Sequence, residues 1–209
     1  MKLREYQNNI AIQAGNKLMA FGCCYLSMEC RTGKTLTALY AADKFNAKSV
    51  LFITKLKAIP SVKSDYIALQ PSFKLEVVNF ESSHKVTGKY DLVIIDEAHS
   101  LGAYPKPSKR TQEIRTICEG LPVLYLSGTP SPESYSQLYH QFWVCSKSPW
   151  KNYKSFYKWA KEYVYTRQKK VNGYLINDYS CANKPKIDND TRNLFISYSQ
   201  EQAGFEVNI

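Results

Sequence analysis

A short segment near the start of the chain combines residue types that bind phosphate. Residues 28–35 read MECRTGKT and stand between an apolar run, predicted as a strand, and a predicted helix. A helix N-terminus presents unpaired N–H groups and partial positive charge, which attract phosphate oxygens. We expect Gly33 to allow close backbone approach, Lys34 to meet the β- and γ-phosphates, and the Thr35 hydroxyl to ligate magnesium. Met28 replaces the first glycine of the G-x-x-x-x-G-K-[ST] pattern, so this segment alone is equally compatible with an ordinary helix start.

Two adjacent carboxylates follow a second apolar run. Residues 92–99 read LVIIDEAH, which predicts a buried strand that delivers Asp96 and Glu97 at its end. We expect Asp96 to hold magnesium, usually through water, and Glu97 to polarise the attacking water, as phosphoryl transfer requires. Solvated loop acids are the alternative interpretation. A carboxylate pair directly after four apolar residues, about sixty residues beyond the first segment, favours a site for ATP and Mg²⁺.

Hydrophobic patterning predicts the elements that position these groups. Strands that are apolar throughout must be covered on both faces, so their alternation with helices predicts an α/β fold with a parallel sheet and helices on both faces. The predicted strands are 23–28, 49–54, 74–80, 92–95 and 123–126. The predicted helices are 1–20, 33–45, 59–69, 111–118, 133–143 and 150–165. Ligands bind such sheets at the carboxyl ends of the strands, where the polar clusters stand.

The last part of the chain has a different character. An Asn172-Gly173 pair between short β-prone pieces predicts a β-hairpin. Residues 183–193 are polar and rich in turn formers, and residues 194–209 alternate as a strand does. We therefore divide the chain into a nucleotide-binding domain, residues 1–165, and a C-terminal extension, residues 166–209.

Composition restricts the partners and the compartment. The chain has 209 residues, 28 Lys plus Arg against 18 Asp plus Glu, and a net charge of +10. This balance favours a polyanionic partner, nucleic acid before an anionic membrane, although a basic surface can also serve solubility alone. The apolar runs are far shorter than the ~20 residues that span a bilayer. Six cysteines without a CxxC pair predict reduced thiols in a cytoplasmic protein.

Much of the positive charge lies in one aromatic segment. Residues 147–170 contain eight basic residues against one acidic residue, Glu162. Lys154, Lys158 and Lys161 are predicted on one helical face, where they either contact a nucleic-acid backbone or form a solvated face. The aromatic residues have the spacing of a packed helix, which favours core over base stacking. The predicted packing face consists of Tyr153, Phe156, Tyr157, Ala160 and Val164.

Taken together, the motifs resemble those of superfamily 2 helicases, especially the Swi/Snf-type branch and its phage relatives. Residues 3–7 (LREYQ) resemble the N-terminal element of the family, and residues 33–35 (GKT) match the Walker A ending. Residues 96–99 (DEAH) match Walker B, and residues 127–130 (SGTP) match the motif that couples hydrolysis to movement. Softer matches are residues 53–55 (ITK) and 79–82 (NFES). The resemblance runs from residue 3 to about residue 165 and implies a RecA-like, P-loop fold that binds ATP and Mg²⁺.

The resemblance also implies roles for single residues. Gln7 would read adenine, and Arg31 and Thr32 would contribute to the nucleotide-binding loop, although Arg31 replaces the glycine that is usual there. The residues implied in coupling are His99, Ser127, Gly128 and Thr129. The residues implied in contact with the nucleic-acid strand are Thr54 and Lys55.

The second lobe of this family carries arginine fingers in a Q-x-x-G-R-x-x-R pattern. The six arginines here are Arg4, Arg31, Arg110, Arg115, Arg167 and Arg192, and no two of them are three residues apart. The 44 residues after residue 165 are too few for another domain. The resemblance therefore implies an N-terminal lobe that needs a second RecA-like lobe, supplied in cis by a longer native chain or in trans, with DNA a better candidate substrate than RNA.

Two other interpretations compete with this one. The first alternative is a stand-alone module in which ATP switches affinity for nucleic acid without significant turnover. The second is an inert adaptor that keeps the fold without the chemistry. Retention of Lys34, Thr35, Asp96 and Glu97 together argues against the adaptor.

Overall fold

A computed structural model describes residues 3–204 of the chain. Eight strands are present in this range: β1 Cys23–Met28, β2 Ser49–Thr54, β3 Lys74–Asn79, β4 Leu92–Ile95, β5 Val123–Ser127, β6 Arg167–Val171, β7 Tyr174–Asp178 and β8 Phe195–Tyr198. The α-helices in the same range are α1 Glu5–Phe21, α2 Lys34–Lys44, α3 Ile59–Leu69, α4 Lys109–Ile117, α5 Gln137–Trp143, α6 Phe156–Tyr163 and α7 Lys184–Thr191. None of these helices is both long and apolar enough to cross a membrane.

Six of the strands form one parallel sheet in the order β3-β2-β4-β5-β1-β8. Successive residues of a strand point to opposite faces, so the apolar strands feed two cores. Phe52 of β2 packs with α1, α2 and α3 on one face, whereas Ile53 packs with α4, α5 and α6 on the other. The predicted parallel α/β sheet with helices on both faces is confirmed.

Two predicted aromatic helices are shorter than expected. The helix predicted over 133–143 begins at Gln137, because the Gln137 side chain accepts hydrogen bonds from the backbone N–H groups of Glu133 and Ser134 and fixes a turn there. The helix predicted over 150–165 begins at Phe156, where the Ser155 side chain caps it by accepting from the backbone N–H of Lys158. Lys154 therefore precedes the helix that was predicted to carry it.

The later start also changes which face of α6 packs. The buried residues of α6 are Phe156, Trp159, Ala160 and Tyr163. Tyr157, predicted on the packing face, is 44% exposed. The prediction was wrong at this position because the buried stripe follows i, i+3, i+4 and i+7 from Phe156. The expectation that most of these aromatics are core is confirmed.

The C-terminal segment leaves the sheet and returns to it. β6 and β7 form the predicted hairpin around Asn172-Gly173. The segment 183–193 is helical, contrary to its turn-rich composition, because Asn183 caps α7 and Pro185 suits a first helical turn. β8 then pairs with β1, so Ile196 joins the core beside Leu26. The strand predicted over 194–209 ends at Tyr198, and residues 205–209 lie outside the described range.

Candidate functional site

The carboxyl ends of three neighbouring strands carry the residues selected from the sequence. β1 ends at Met28 and leads into residues 29–35. These residues, which include the first two of α2, are called here the 29–35 loop. β4 ends at Ile95 and leads into the carboxylate pair, and β5, which ends at Ser127, pairs with both β1 and β4. Because all of these strands are parallel, the three ends lie at the same edge of the sheet.

The backbone of the 29–35 loop is folded tightly onto the start of α2. The backbone N–H and the hydroxyl of Thr32 both donate to the Glu29 carbonyl, at 3.4 and 2.6 Å. Gly33 has a left-handed φ of +77° and is followed directly by helical Lys34. Adjacent residues of opposite backbone hand point successive N–H groups into one concavity, which suits an anion. Arg31, with φ +64°, adopts the left-handed conformation that favours glycine.

The N-terminal element holds this loop from one side. The Tyr6 hydroxyl donates to the Thr32 carbonyl at 3.0 Å, and the Gln7 side-chain amide approaches the same oxygen at 3.5 Å. The Gln7 side-chain oxygen Oε1 accepts from the Arg4 backbone N–H at 2.9 Å. A Cβ atom on Gly33 would lie 2.2 Å from the Gln7 amide nitrogen, so any larger residue at this position would displace Gln7. The structure thus brings Gln7 against the loop, and its role in reading adenine stays a prediction.

A second support of the loop escaped the sequence analysis. Glu29 donates its backbone N–H to the Tyr198 carbonyl at 3.0 Å, and its carboxylate accepts from the Gln200 backbone N–H at 2.7 Å. Tyr198 also stacks on Tyr6, with ring centroids 4.5 Å apart. These contacts depend on β8 pairing with β1 about 170 residues away, and no local sequence signal announces that pairing.

Lys34 and Asp96 both lie at this edge of the sheet. The Lys34 ammonium lies over the loop and donates to the Glu29 carbonyl at 3.3 Å. Burial raises the pKa of Asp96, and the neighbouring Glu97 charge raises it further, while the Thr54 hydroxyl and the Lys34 charge lower it. A buried carboxylate beside a second carboxylate is costly to ionise, so this site favours the approach of a cation.

Thr54 supports Asp96 from the next strand. The Thr54 hydroxyl donates to one Asp96 carboxylate oxygen at 2.7 Å, and the Glu97 backbone N–H donates to the other at 3.0 Å. Thr54 is completely buried, so it orients the carboxylate and has no surface to offer a nucleic-acid strand. Of the pair predicted to contact nucleic acid, Lys55 alone is exposed.

A polar chain connects the carboxylate pair to the end of β5. The Glu97 carboxylate lies 3.9 Å from the Lys55 ammonium and 3.3 Å from His99 Nδ1. The same His99 nitrogen lies 2.9 Å from the Ser127 hydroxyl, which accepts from the Thr129 backbone N–H at 3.1 Å. The structure therefore joins the residues predicted for water activation and for coupling in one network.

Gly128 lies where β5 meets the 29–35 loop. A Cβ atom built on Gly128 would lie 3.5 Å from the Met28 carbonyl oxygen and 3.7 Å from the Glu29 Cα. The backbone after β5 is thus in close contact with the backbone that begins the loop. A displacement of either segment would be felt by the other, because packed interiors deform little.

Lys154, Lys158 and Lys161 belong to another part of the molecule. All three are exposed, on or just before α6. α6 packs on the sheet face opposite to that of α2. The structure leaves these lysines accessible to a polyanion without placing them in the 29–35 loop network.

The residues at the sheet edge fit a magnesium ion that arrives with a phosphate ligand. Within residues 3–204 there is no cluster of three or more histidine, cysteine or acidic residues that could hold a metal by itself. Mg²⁺ does not need one, because it usually binds through one or two protein carboxylates, substrate phosphates and water. Asp96 offers a half-buried carboxylate beside a second carboxylate, and Thr35 offers a hydroxyl in the first turn of α2.

Comparison with known proteins adds no relative. Neither the scan against protein-family models nor the search of curated proteins found a match. The geometry of the sheet edge is therefore the basis for assigning a function.

Proposed function

We propose that this chain is the ATP-binding, RecA-like lobe of a nucleic-acid-dependent ATPase of the helicase or translocase type. The observation that carries the proposal is geometric: Lys34, at the start of α2 after β1, and the half-buried Asp96, held at 2.7 Å by the Thr54 hydroxyl after β4, lie at one edge of a parallel sheet. A phosphate chain beside Lys34 and a magnesium ion beside Asp96 would each meet the charge that it requires. An ordinary helix start would not need a carboxylate pair at the same edge of the sheet.

The chemistry assigned to the site follows from its geometry. The N–H groups at the start of α2 and the Lys34 ammonium bind the β- and γ-phosphates. Thr35 and Asp96 hold magnesium, which when bound neutralises charge on the phosphate oxygens. Glu97 orients the attacking water, and the His99–Ser127 contact at 2.9 Å relays its position to the segment after β5. We assign the remaining stabilisation of the transition-state charge to an arginine from a second lobe.

Replacement of Lys34 by alanine tests the nucleotide assignment. We expect Lys34→Ala to weaken magnesium-dependent ATP binding about 10- to 100-fold, because charge-assisted hydrogen bonds contribute about 1.5–3 kcal/mol each. Displacement of a fluorescent ATP analogue measures the affinity. Lys63→Ala, at an exposed position of α3, is the matched control and should bind as the wild type does. Equal affinity of Lys34→Ala and wild type would remove the 29–35 loop from the nucleotide site.

The basic face around α6 is a separate test of the nucleic-acid assignment. We expect Lys154→Ala, Lys158→Ala and Lys161→Ala in one variant to reduce the salt slope of DNA binding by roughly two to three, since each phosphate contact contributes about 0.7–0.9. The slope comes from affinities measured across a series of salt concentrations. The control variant replaces three exposed lysines elsewhere: Lys48, Lys63 and Lys74. If both variants keep the wild-type slope, the segment that carries Lys154, Lys158 and Lys161 does not contact DNA phosphates.

A further inference from the structure

The β6–β7 hairpin is exposed along almost its entire length. All five residues of β6 and the first four of β7 are exposed, and Tyr174 has 77% of its surface in solvent. The large apolar residues of the hairpin are Val171, Tyr174, Leu175 and Ile176, with exposures from 40% to 77%. A two-stranded ribbon is only marginally stable by itself, and contiguous exposed apolar surface commonly marks a binding site.

The pairing register shows which apolar and basic residues of the hairpin share a face. Val171 is paired with Tyr174 beside the turn, and Lys169 is paired with Ile176. Opposed residues of antiparallel strands lie on the same face, so Val171, Tyr174 and Ile176 form one apolar surface. Arg167 lies on that face nearer the root, and Lys170 lies on the other face opposite Leu175.

Charge identifies the kind of partner. Between residues 167 and 178 there are three cations, Arg167, Lys169 and Lys170, and one carboxylate, Asp178, which lies 3.4 Å from Lys169. The chain as a whole carries a net charge of +10. Cations beside an exposed aromatic ring form the combination that binds single strands, with phosphates neutralised and bases stacked. A stacked base must be unpaired, since the bases of a duplex cover one another.

The root of the hairpin is tied to the segment that follows β5. The Ser134 hydroxyl donates to the Ser180 carbonyl at 2.7 Å, and the Ser136 hydroxyl donates to the Tyr179 carbonyl at 2.6 Å. Both serines are buried, a few residues beyond the Ser127 network. Tyr179 also packs on Phe156, with ring centroids 5.4 Å apart. The root of the hairpin is therefore hydrogen-bonded to the segment after β5, and the start of that segment, at Gly128, contacts the 29–35 loop.

We propose that the β6–β7 hairpin binds single-stranded nucleic acid, with Tyr174 stacked on an unpaired base and Arg167 and Lys169, which share its face, on the flanking phosphates. The identity of the partner rests on the proposed function, whereas the contact itself rests on the exposure, register and charge of the hairpin.

The test is the affinity of the full chain for a fluorescein-labelled oligothymidine, with ATP binding recorded in the same samples. We expect Tyr174→Ala and Tyr174→Leu to weaken oligonucleotide binding about tenfold. Tyr174→Phe keeps the ring and should stay within about twofold of wild type. Arg167→Ala with Lys169→Ala should lower the salt slope by about 1.4, whereas Lys63→Ala with Lys74→Ala should leave it unchanged.

The outcomes separate this inference from the function on which it rests. Tyr174→Leu binding as tightly as wild type would show that the tip is merely apolar, as in a protein-docking surface, and would overturn the stacking contact. Wild-type affinity in Tyr174→Ala, or no oligonucleotide binding by the wild-type chain, would overturn it as well. If the Tyr174 variants behave as expected and the wild-type chain fails to bind ATP, the hairpin contact stands and the proposed ATPase function fails.

Discussion

The isolated chain should hydrolyse ATP about 10³- to 10⁵-fold more slowly than an ATPase whose site is completed by an arginine finger. Two of the arginines of this chain are engaged elsewhere. Arg110 pairs with Glu81 at 2.9 Å, and Arg115 lies 3.8 Å from the centre of the Trp143 ring. Arg31 is the arginine that belongs to the 29–35 loop itself, where it is exposed.

Phosphate release with and without single- and double-stranded DNA measures this turnover. Glu97→Gln is the control for background, because it should bind ATP as the wild type does and lose the residual rate. A large stimulation of the wild-type rate by DNA, about 100-fold or more, would contradict the expectation that the site needs an arginine from a second lobe. In that event Arg31→Gly tests whether Arg31 is the arginine that completes the site.

Replacement of Trp159 by alanine should lower the free energy of unfolding by about 3–5 kcal/mol, the range for large aromatic truncations in cores. Trp159 is fully buried, stacked on Tyr163 at 5.0 Å and in edge contact with Trp150 at 5.2 Å. These rings fix α6, which carries the exposed lysines and packs against the root of the hairpin.

Urea unfolding measures the loss, with an unchanged m-value as the sign that the unfolding transition itself is the same. Trp159→Phe is the matched variant and should cost much less. Its ring keeps most of the packing, and the buried Trp159 Nε1 has no hydrogen-bond partner among the described residues to lose. A loss below about 1 kcal/mol for Trp159→Ala would contradict the assignment of this ring to the core.

Local patterns predicted most of the sheet. The apolar runs at 49–54 and 92–95 have the same bounds in the structure as in the prediction, because a strand covered on both faces leaves a continuous apolar signature. The positions of Asp96 and Glu97 follow from the run at 92–95. The position of Lys34 at the start of α2 follows from the apolar run at 23–28.

Long-range pairing was not predictable in the same way. The burial of Thr54 against Asp96 depends on the register that places Ile53 beside Ile95, and a strand pattern does not specify register between distant segments. The pairing of β8 with β1, which brings Tyr198 to Tyr6, has the same cause.

Two helix starts were signalled by the sequence and were missed. Ser155 stands directly before Phe156, and serine at such a position is a strong N-cap. Asn183 is likewise followed by a proline in the first turn of α7, a combination that marks helix starts. Overall polarity outweighed these signals in the interpretation of residues 183–193.

The most direct test of the nucleotide assignment is a map of backbone amide chemical shifts as ATP and magnesium are added to the ¹⁵N-labelled chain. We expect large shifts at residues 32–35 and at Glu97, and much smaller shifts when adenosine replaces ATP. A cavity of about 350 Å³ is lined in part by Lys184, Arg192 and Phe195. Shifts confined to that cavity, with residues 32–35 unchanged, would contradict the assignment of the phosphate site to the 29–35 loop.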